Sequence, residues 1–231
     1  VRGVMFTGST EVATLLQRNI ASRLDAQGRP IPLIAETGGM NAMIVDSSAL
    51  TEQVVVDVLA SAFDSAGQRC SALRVLCLQD EIADHTLKML RGAMAECRMG
   101  NPGRLTTDIG PVIDSEAKAN IERHIQTMRS KGRPVFQAVR ENSEDAREWQ
   151  SGTFVAPTLI ELDDFAELQK EVFGPVLHVV RYNRNQLPEL IEQINASGYG
   201  LTLGVHTRID ETIAQVTGSA HVGNLYVNRN M

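Results

Sequence analysis

Three cysteines, Cys70, Cys77 and Cys97, are the strongest nucleophiles in the sequence, and one of them stands where a nucleophile is useful. Gly67-Gln68-Arg69-Cys70-Ser71 follows a long apolar helical pattern, so Gly67 reads as the glycine after a helix end and Cys70 as a residue on the turn beyond. A turn leaves the backbone N–H of Cys70 free of ladder bonds, and such an N–H stabilises an oxyanion at the carbon its sulfur attacks. Arg69 beside it favours a thiolate, although adjacent side chains often point apart. The plainer alternative is a small, inert, buried thiol. Cys77 lies in a strand pattern and Cys97 on the apolar stripe of a helix, and for both of these the core reading is the better one.

Three further segments carry groups of use to such a nucleophile. In Glu36-Thr37-Gly38-Gly39, a carboxylate ends an apolar strand and two glycines follow. Open α/β sheets place ligands in the crevice at such strand ends, and partial desolvation there raises a carboxyl toward a useful general base. A solvated glutamate at a strand end is the simpler account of that residue alone. Phe6-Thr7-Gly8-Ser9-Thr10-Glu11 reads as strand, glycine turn and helix start, an arrangement that offers free N–H groups and a helix dipole to an anion. It is not a full G-x-G-x-x-G fingerprint, and an ordinary capped helix explains it equally well. Glu171-Val172-Phe173-Gly174-Pro175 sets an acid and an aromatic before a Gly-Pro turn, suited to a ribose hydroxyl pair and a flat ring, or to nothing more than a turn.

The elements that must position these groups alternate between short β-branched runs and amphipathic helical patterns, which indicates an α/β fold. Strands are expected at Val4–Thr7, Ile31–Ala35, Asn41–Val45, Arg74–Gln79, Phe154–Leu162, Leu177–Tyr182, Leu201–Thr207 and Val222–Asn228. Helices are expected from Gly8 to about Leu24, Leu50 to Ala66, Asp80 to Cys97, from Ser115 up to Gly132, Leu187 to Ala196 and Asp210 to Ala220. The Leu50–Ala66 pattern carries apolar residues on several faces and reads as buried nearly all round. The polar run 140–152 reads as a surface loop. There is no internal repeat.

At 231 residues, with 43% hydrophobic and 22% charged side chains, the chain has the composition of a soluble globular protein. Twenty-two basic against 28 acidic residues give a net charge of −6, which argues against nucleic acid or an anionic membrane as the main partner. No apolar run is long enough to span a bilayer, no signal peptide is legible at Val1, and the cysteine spacing matches no metal motif. Odd, unpaired cysteines fit a reducing cytoplasm. The sequence opens in what reads as mid-strand and ends just after a strand, which suggests a segment of a longer chain.

Taken in chain order, the four motifs around Gly8, Glu36, Cys70 and Glu171 resemble those of the aldehyde dehydrogenase superfamily, and Glu36 precedes Cys70 by 34 positions, a separation similar to the family's. Ala66-Gly67-Gln68-Arg69-Cys70-Ser71-Ala72-Leu73-Arg74, Gly198-Tyr199-Gly200-Leu201-Thr202-Leu203-Gly204-Val205-His206-Thr207 and the stretch from Gly223 to Asn230 resemble more narrowly the L-glutamate γ-semialdehyde (pyrroline-5-carboxylate) dehydrogenase module of bacterial bifunctional proline-utilization enzymes. The resemblance covers essentially the whole chain. It implies residues 1–36 as the last part of a Rossmann-like NAD-binding domain and 37–231 as a catalytic domain with an open twisted sheet. It implies that Cys70 attacks the aldehyde and that Glu36 activates the water that releases the product. Gly8, Ser9, Thr37, Gly38, Glu171 and Phe173 then serve NAD, Ser71 receives the substrate's carboxylate end, and no metal is required. Any flavin is left to another domain of a longer parent, which the resemblance makes a homo-oligomer acting on a small aldehyde.

By the same resemblance, the family's first cofactor strands, its adenosine-ribose lysine and its oxyanion amide precede Val1, while a substrate-anchoring loop and an oligomerisation strand follow Met231. The 231 residues alone are therefore expected to be inactive. Two other readings stay open from sequence: an inactive structural piece of that enzyme, and a thiol hydrolase using Cys70 with Glu36.

Overall fold

A computed structural model describes residues 1–138 and 152–231. The chain divides into two compact units, Val1–Gly38 and Gly39–Met231. The first holds a parallel pair of strands, β1 (Val4–Thr7) and β2 (Leu33–Glu36), with helix α1 (Thr10–Ala21) between them in sequence. Met5, Val12, Leu15, Leu24 and Ile34 of this unit are exposed.

The second unit is built on a seven-stranded sheet in the order β5-β6-β7-β4-β3-β8-β9. The strands are β3 (Ala42–Val45), β4 (Val75–Gln79), β5 (Val135–Gln137), β6 (Thr158–Leu162), β7 (Val176–Tyr182), β8 (Thr202–His206) and β9 (Asn224–Val227). All neighbours run parallel except β5 with β6. Parallel strands covered on both faces read as continuous apolar runs, and Ala42-Met43-Ile44-Val45 and Val75-Leu76-Cys77-Leu78 are both wholly buried. The covering helices are α2 (Thr51–Phe63), α3 (Asp80–Glu96), α4 (Ser115–Ser130), α5 (Leu187–Ala196) and α6 (Asp210–Ser219). Their apolar stripes enter one core: Ala83, Leu87, Leu90 and Met94 from α3, and Ile121, Ile125 and Met128 from α4.

The architecture is the α/β one expected, with local corrections. Helix α2 stops at Phe63, not Ala66, and it is not buried all round, since Val56 is 66% exposed. Beyond Phe63 the chain tightens into a 3-10 turn, Asp64–Gly67, in which Ser65 and Ala66 take left-handed backbone (φ 57° and 53°). Phe154–Leu162 contracts to β6, and β5 had no counterpart in the sequence reading. Cys97 caps α3, its N–H donating to the Met94 carbonyl at 3.1 Å, so it stands one residue past the helix end while still packing, partly buried, against the core. The polar run 140–152 lies outside the described residues but for Gly152. Among the described residues no helix is long and apolar enough to cross a membrane, and no group of His, Cys, Asp and Glu could hold a metal ion.

Candidate active site

Cys70 lies between the 3-10 turn and β4 and is exposed, whereas Cys77 is buried in β4. Burial pushes the Cys77 thiol up to about 12, which removes it as a nucleophile near neutrality. The turn that carries Cys70 is held from three sides. Gly67 sits at φ 66°, and a Cβ there would strike the Gly174 carbonyl oxygen outright and approach its carbon to 2.7 Å. Glycine is thus required both by the backbone angle and by the approach of the Glu171–Pro175 turn. Gly39 is constrained likewise, because a Cβ on it would stand 2.6 Å from the Cys70 carbonyl. Asn41, just before β3, donates through Nδ2 to the carbonyls of Cys70 (2.7 Å) and Ala72 (2.9 Å), and its Oδ1 accepts from Thr202 N–H at 3.2 Å. Gln68 accepts from Ile113 N–H at 2.8 Å and donates to the Ser65 carbonyl at 3.1 Å, so it pins the approach to Cys70 against the segment before α4.

At the centre is Arg74, whose side chain is wholly buried. A charged residue in that position must be paired, and Arg74 is. Nη1 donates to the Gly67 carbonyl at 2.7 Å and to the Gly174 carbonyl at 3.4 Å. Nη2 donates to the Arg69 carbonyl at 2.9 Å and to Glu171 Oε1 at 2.8 Å, and Nε reaches the same Oε1 at 3.1 Å. The guanidinium also lies 5.2 Å from the Phe173 ring centroid. Burial opposes charge on both partners: it lowers Arg74 and raises Glu171 above the usual carboxylate range. Their mutual attraction works the other way, and so does the nearby Gly39 backbone for Glu171. A buried pair of this kind adds little net stability but fixes geometry. The Arg74 carbonyl in turn accepts from His178 N–H at 2.9 Å and faces His178 Nδ1 at 3.2 Å, while His178 Nε2 stands 2.8 Å from His124 Nε2. A carbonyl only accepts, so Nδ1 carries the proton and Nε2 accepts from His124.

Within the second unit Arg74 links Glu171 and Phe173 to the turn that bears Cys70, and Ser71 follows Cys70 on that turn. Glu36, Thr37, Gly38, Gly8 and Ser9 belong to the first. There Glu36 ends β2 and is exposed, and its carbonyl accepts from Gly8 N–H at 3.1 Å. The Thr37 carbonyl accepts from Thr10 Oγ1 at 3.4 Å, and Gly38 takes φ 77°. Ser9 caps α1 by accepting from Val12 N–H at 3.2 Å, so its hydroxyl has a structural duty. Arg69 is not spent on a thiolate: its guanidinium donates to the Ala60 and Ser61 carbonyls at 3.1 Å each, satisfying the last turn of α2. Sequence reasoning passed over Arg74, Asn41 and Gln68. The signal for Arg74 was a lone charge opening a strand otherwise buried on both faces; Asn41 and Gln68 gave none.

Fold and site together define a cysteine-centred α/β unit of one enzyme class: the chain belongs to the aldehyde dehydrogenase family, whose model matches residues 1–231. It is 94% identical over its whole length to the bifunctional protein PutA of Salmonella typhimurium (strain LT2), of which it spans 18%. Among solved structures it is similar to a crystal structure of bifunctional proline utilization A (PutA), with a TM-score of 0.90 and 48% identity over the whole chain and 22% of the other. It is also similar to a 1-pyrroline-5-carboxylate dehydrogenase from Thermus with bound NAD, with a TM-score of 0.87 and 32% identity, covering 43% of that protein.

Proposed function

We propose that this chain supplies the nucleophile and its surroundings to an NAD-dependent aldehyde dehydrogenase that oxidises L-glutamate γ-semialdehyde to L-glutamate in proline breakdown. The observation that carries the reading is the contrast within one chain between an exposed Cys70, on a turn gripped by Arg74, Asn41 and Gly39, and a Cys77 sealed in the sheet. NAD is the cofactor that the Thermus relative holds. The residues of the second unit fit it: Glu171 keeps 14% of its side chain accessible beside the half-exposed Phe173 ring. In the first unit the Gly8–Ser9 turn opens a helix, which offers N–H groups to an anion. When bound, NAD takes up the hydrogen and the electron pair lost by the aldehyde carbon.

In this reading the Cys70 sulfur bonds to the aldehyde carbon, and the Cys70 backbone N–H steadies the oxygen that gains charge. After oxidation the carbon is held as a thioester on Cys70. Glu36 takes a proton from water, the water oxygen attacks the thioester, the C–S bond breaks and the carboxylate leaves. Ser71 receives the substrate's carboxylate end. The parent acts as a homo-oligomer in the cytoplasm, and a flavin belongs to a different part of it.

The test is NADH formation from glutamate semialdehyde by the full-length protein that carries this chain. Cys70→Ala is expected to lower turnover by at least about a thousandfold, with Cys77→Ala and Cys97→Ala active. Near-normal turnover in Cys70→Ala removes the nucleophile assignment.

A further inference from the structure

We infer that Arg74 is a positioning residue that couples the turn bearing Cys70 to the turn bearing Glu171 and Phe173. The inference rests on the reading of Cys70 as nucleophile and extends it to a residue with no chemical part in the reaction. Its basis is geometric. One buried guanidinium bonds the carbonyls of Gly67 and Arg69, which flank the approach to Cys70, and on its other side the carboxylate of Glu171 and the carbonyl of Gly174. The two segments are about a hundred positions apart in sequence, as the Arg74–Gly174 separation of 100 shows, and Gly67 lets them touch backbone to backbone.

Only a planar fork with several fixed N–H directions serves both sides at once. A lysine ammonium in the same place would keep the charge beside Glu171 and lose the carbonyls. Through this link a change at Glu171 reaches Cys70 without a ligand bridging them.

The experiment uses the full-length protein carrying this chain, without NAD, and follows iodoacetamide alkylation of Cys70 by peptide mass spectrometry. Cys77 serves as the internal marker of folding, because it labels only if the sheet opens. Arg74→Lys is expected to change the Cys70 rate by about tenfold or more, and Glu171→Gln by about threefold or more, with Cys77 unlabelled in both. Per titrated Cys70 site, Arg74→Lys should lower kcat by about tenfold and leave KM for the aldehyde within about threefold, whereas a purely structural role would reduce the number of active sites and spare kcat per site. A Cys70 rate within about twofold of wild type in either folded variant overturns the proposal. If Arg74→Lys exposes Cys77, the Glu171→Gln rate decides alone. Turnover retained in Cys70→Ala would remove the nucleophile reading while the coupling stood, and unchanged alkylation would do the reverse.

Discussion

At the scale of single residues, chemistry and structure divide the polar side chains cleanly. The turn position of Cys70 was legible because a glycine follows a long helical pattern just before it, and the structure leaves that cysteine exposed; its chemical role came from the motif resemblance and stands as a proposal. Arg74 was missed although its signal was there, a lone charge opening a strand buried on both faces, because a strand-end arginine is as readily read as pointing to solvent. If Glu36 activates the water that frees the product, Glu36→Gln should keep a first-turnover burst of NADH and lose steady turnover by roughly a hundredfold. Stopped-flow absorbance separates the two phases, and unchanged steady turnover removes Glu36 from the mechanism. His178 gives a pH prediction. Burial, reinforced by His124, lowers it from 6.5 to about 3. The unfolded chain therefore takes up a proton below pH 6.5 that the folded chain refuses until about 3. Its contribution to stability is whole above that window and falls with pH inside it, by up to about 1.4 kcal/mol per pH unit. Urea unfolding from pH 6.5 to 5 should show a shallower slope in His178→Gln, and an unaltered slope counts against this assignment.

At the scale of elements, apolar period located the long helices and the buried strands, since both depend on burial that a sequence displays. It missed the end of α2. Asp64-Ser65-Ala66 contains no helix breaker, and the left-handed backbone there is imposed by distant partners: the Gly174 carbonyl against Gly67, and Arg74 on the Gly67 carbonyl. It missed β5 because three residues after Pro134 are too few to show alternation. The site also sits at an unexpected end of the sheet. Open parallel sheets place ligands beyond the carboxyl ends of their strands, yet Cys70, Asn41 and the Glu171–Pro175 turn all precede the strands they serve. Gly67→Ala tests the packing of the two turns. A left-handed Cβ costs about 1–3 kcal/mol before any clash, so a loss of at least about 2 kcal/mol is expected in denaturant titration. A loss below about 0.5 kcal/mol would mean the turns part easily.

At the scale of the whole molecule, the two units differ in what holds them. Val1–Gly38 has one pair of strands and one helix, and two-stranded sheets are marginal in water. The described residues of Gly39–Met231 form seven strands with a continuous core. In the isolated 231-residue chain, hydrogen exchange should therefore be fast at the amides of β1 and β2 and slow at β3, β4 and β7. Equal protection would show that the first unit is stable as it stands. The central strand β3 has a further consequence, for the making of the protein. Asn41 and its partner Thr202 lie 161 positions apart, and β3 pairs with β8 at that distance. At ~5–20 residues per second, a ribosome releases β8 roughly 8–30 s after β3. For that interval one edge of the most apolar strand has no neighbour, and the side chain that later clasps the Cys70 carbonyl lacks its third bond. The hydrogen-bonded surroundings of Cys70 are thus completed only once β8 has emerged, although β8 itself contributes no side chain to that turn.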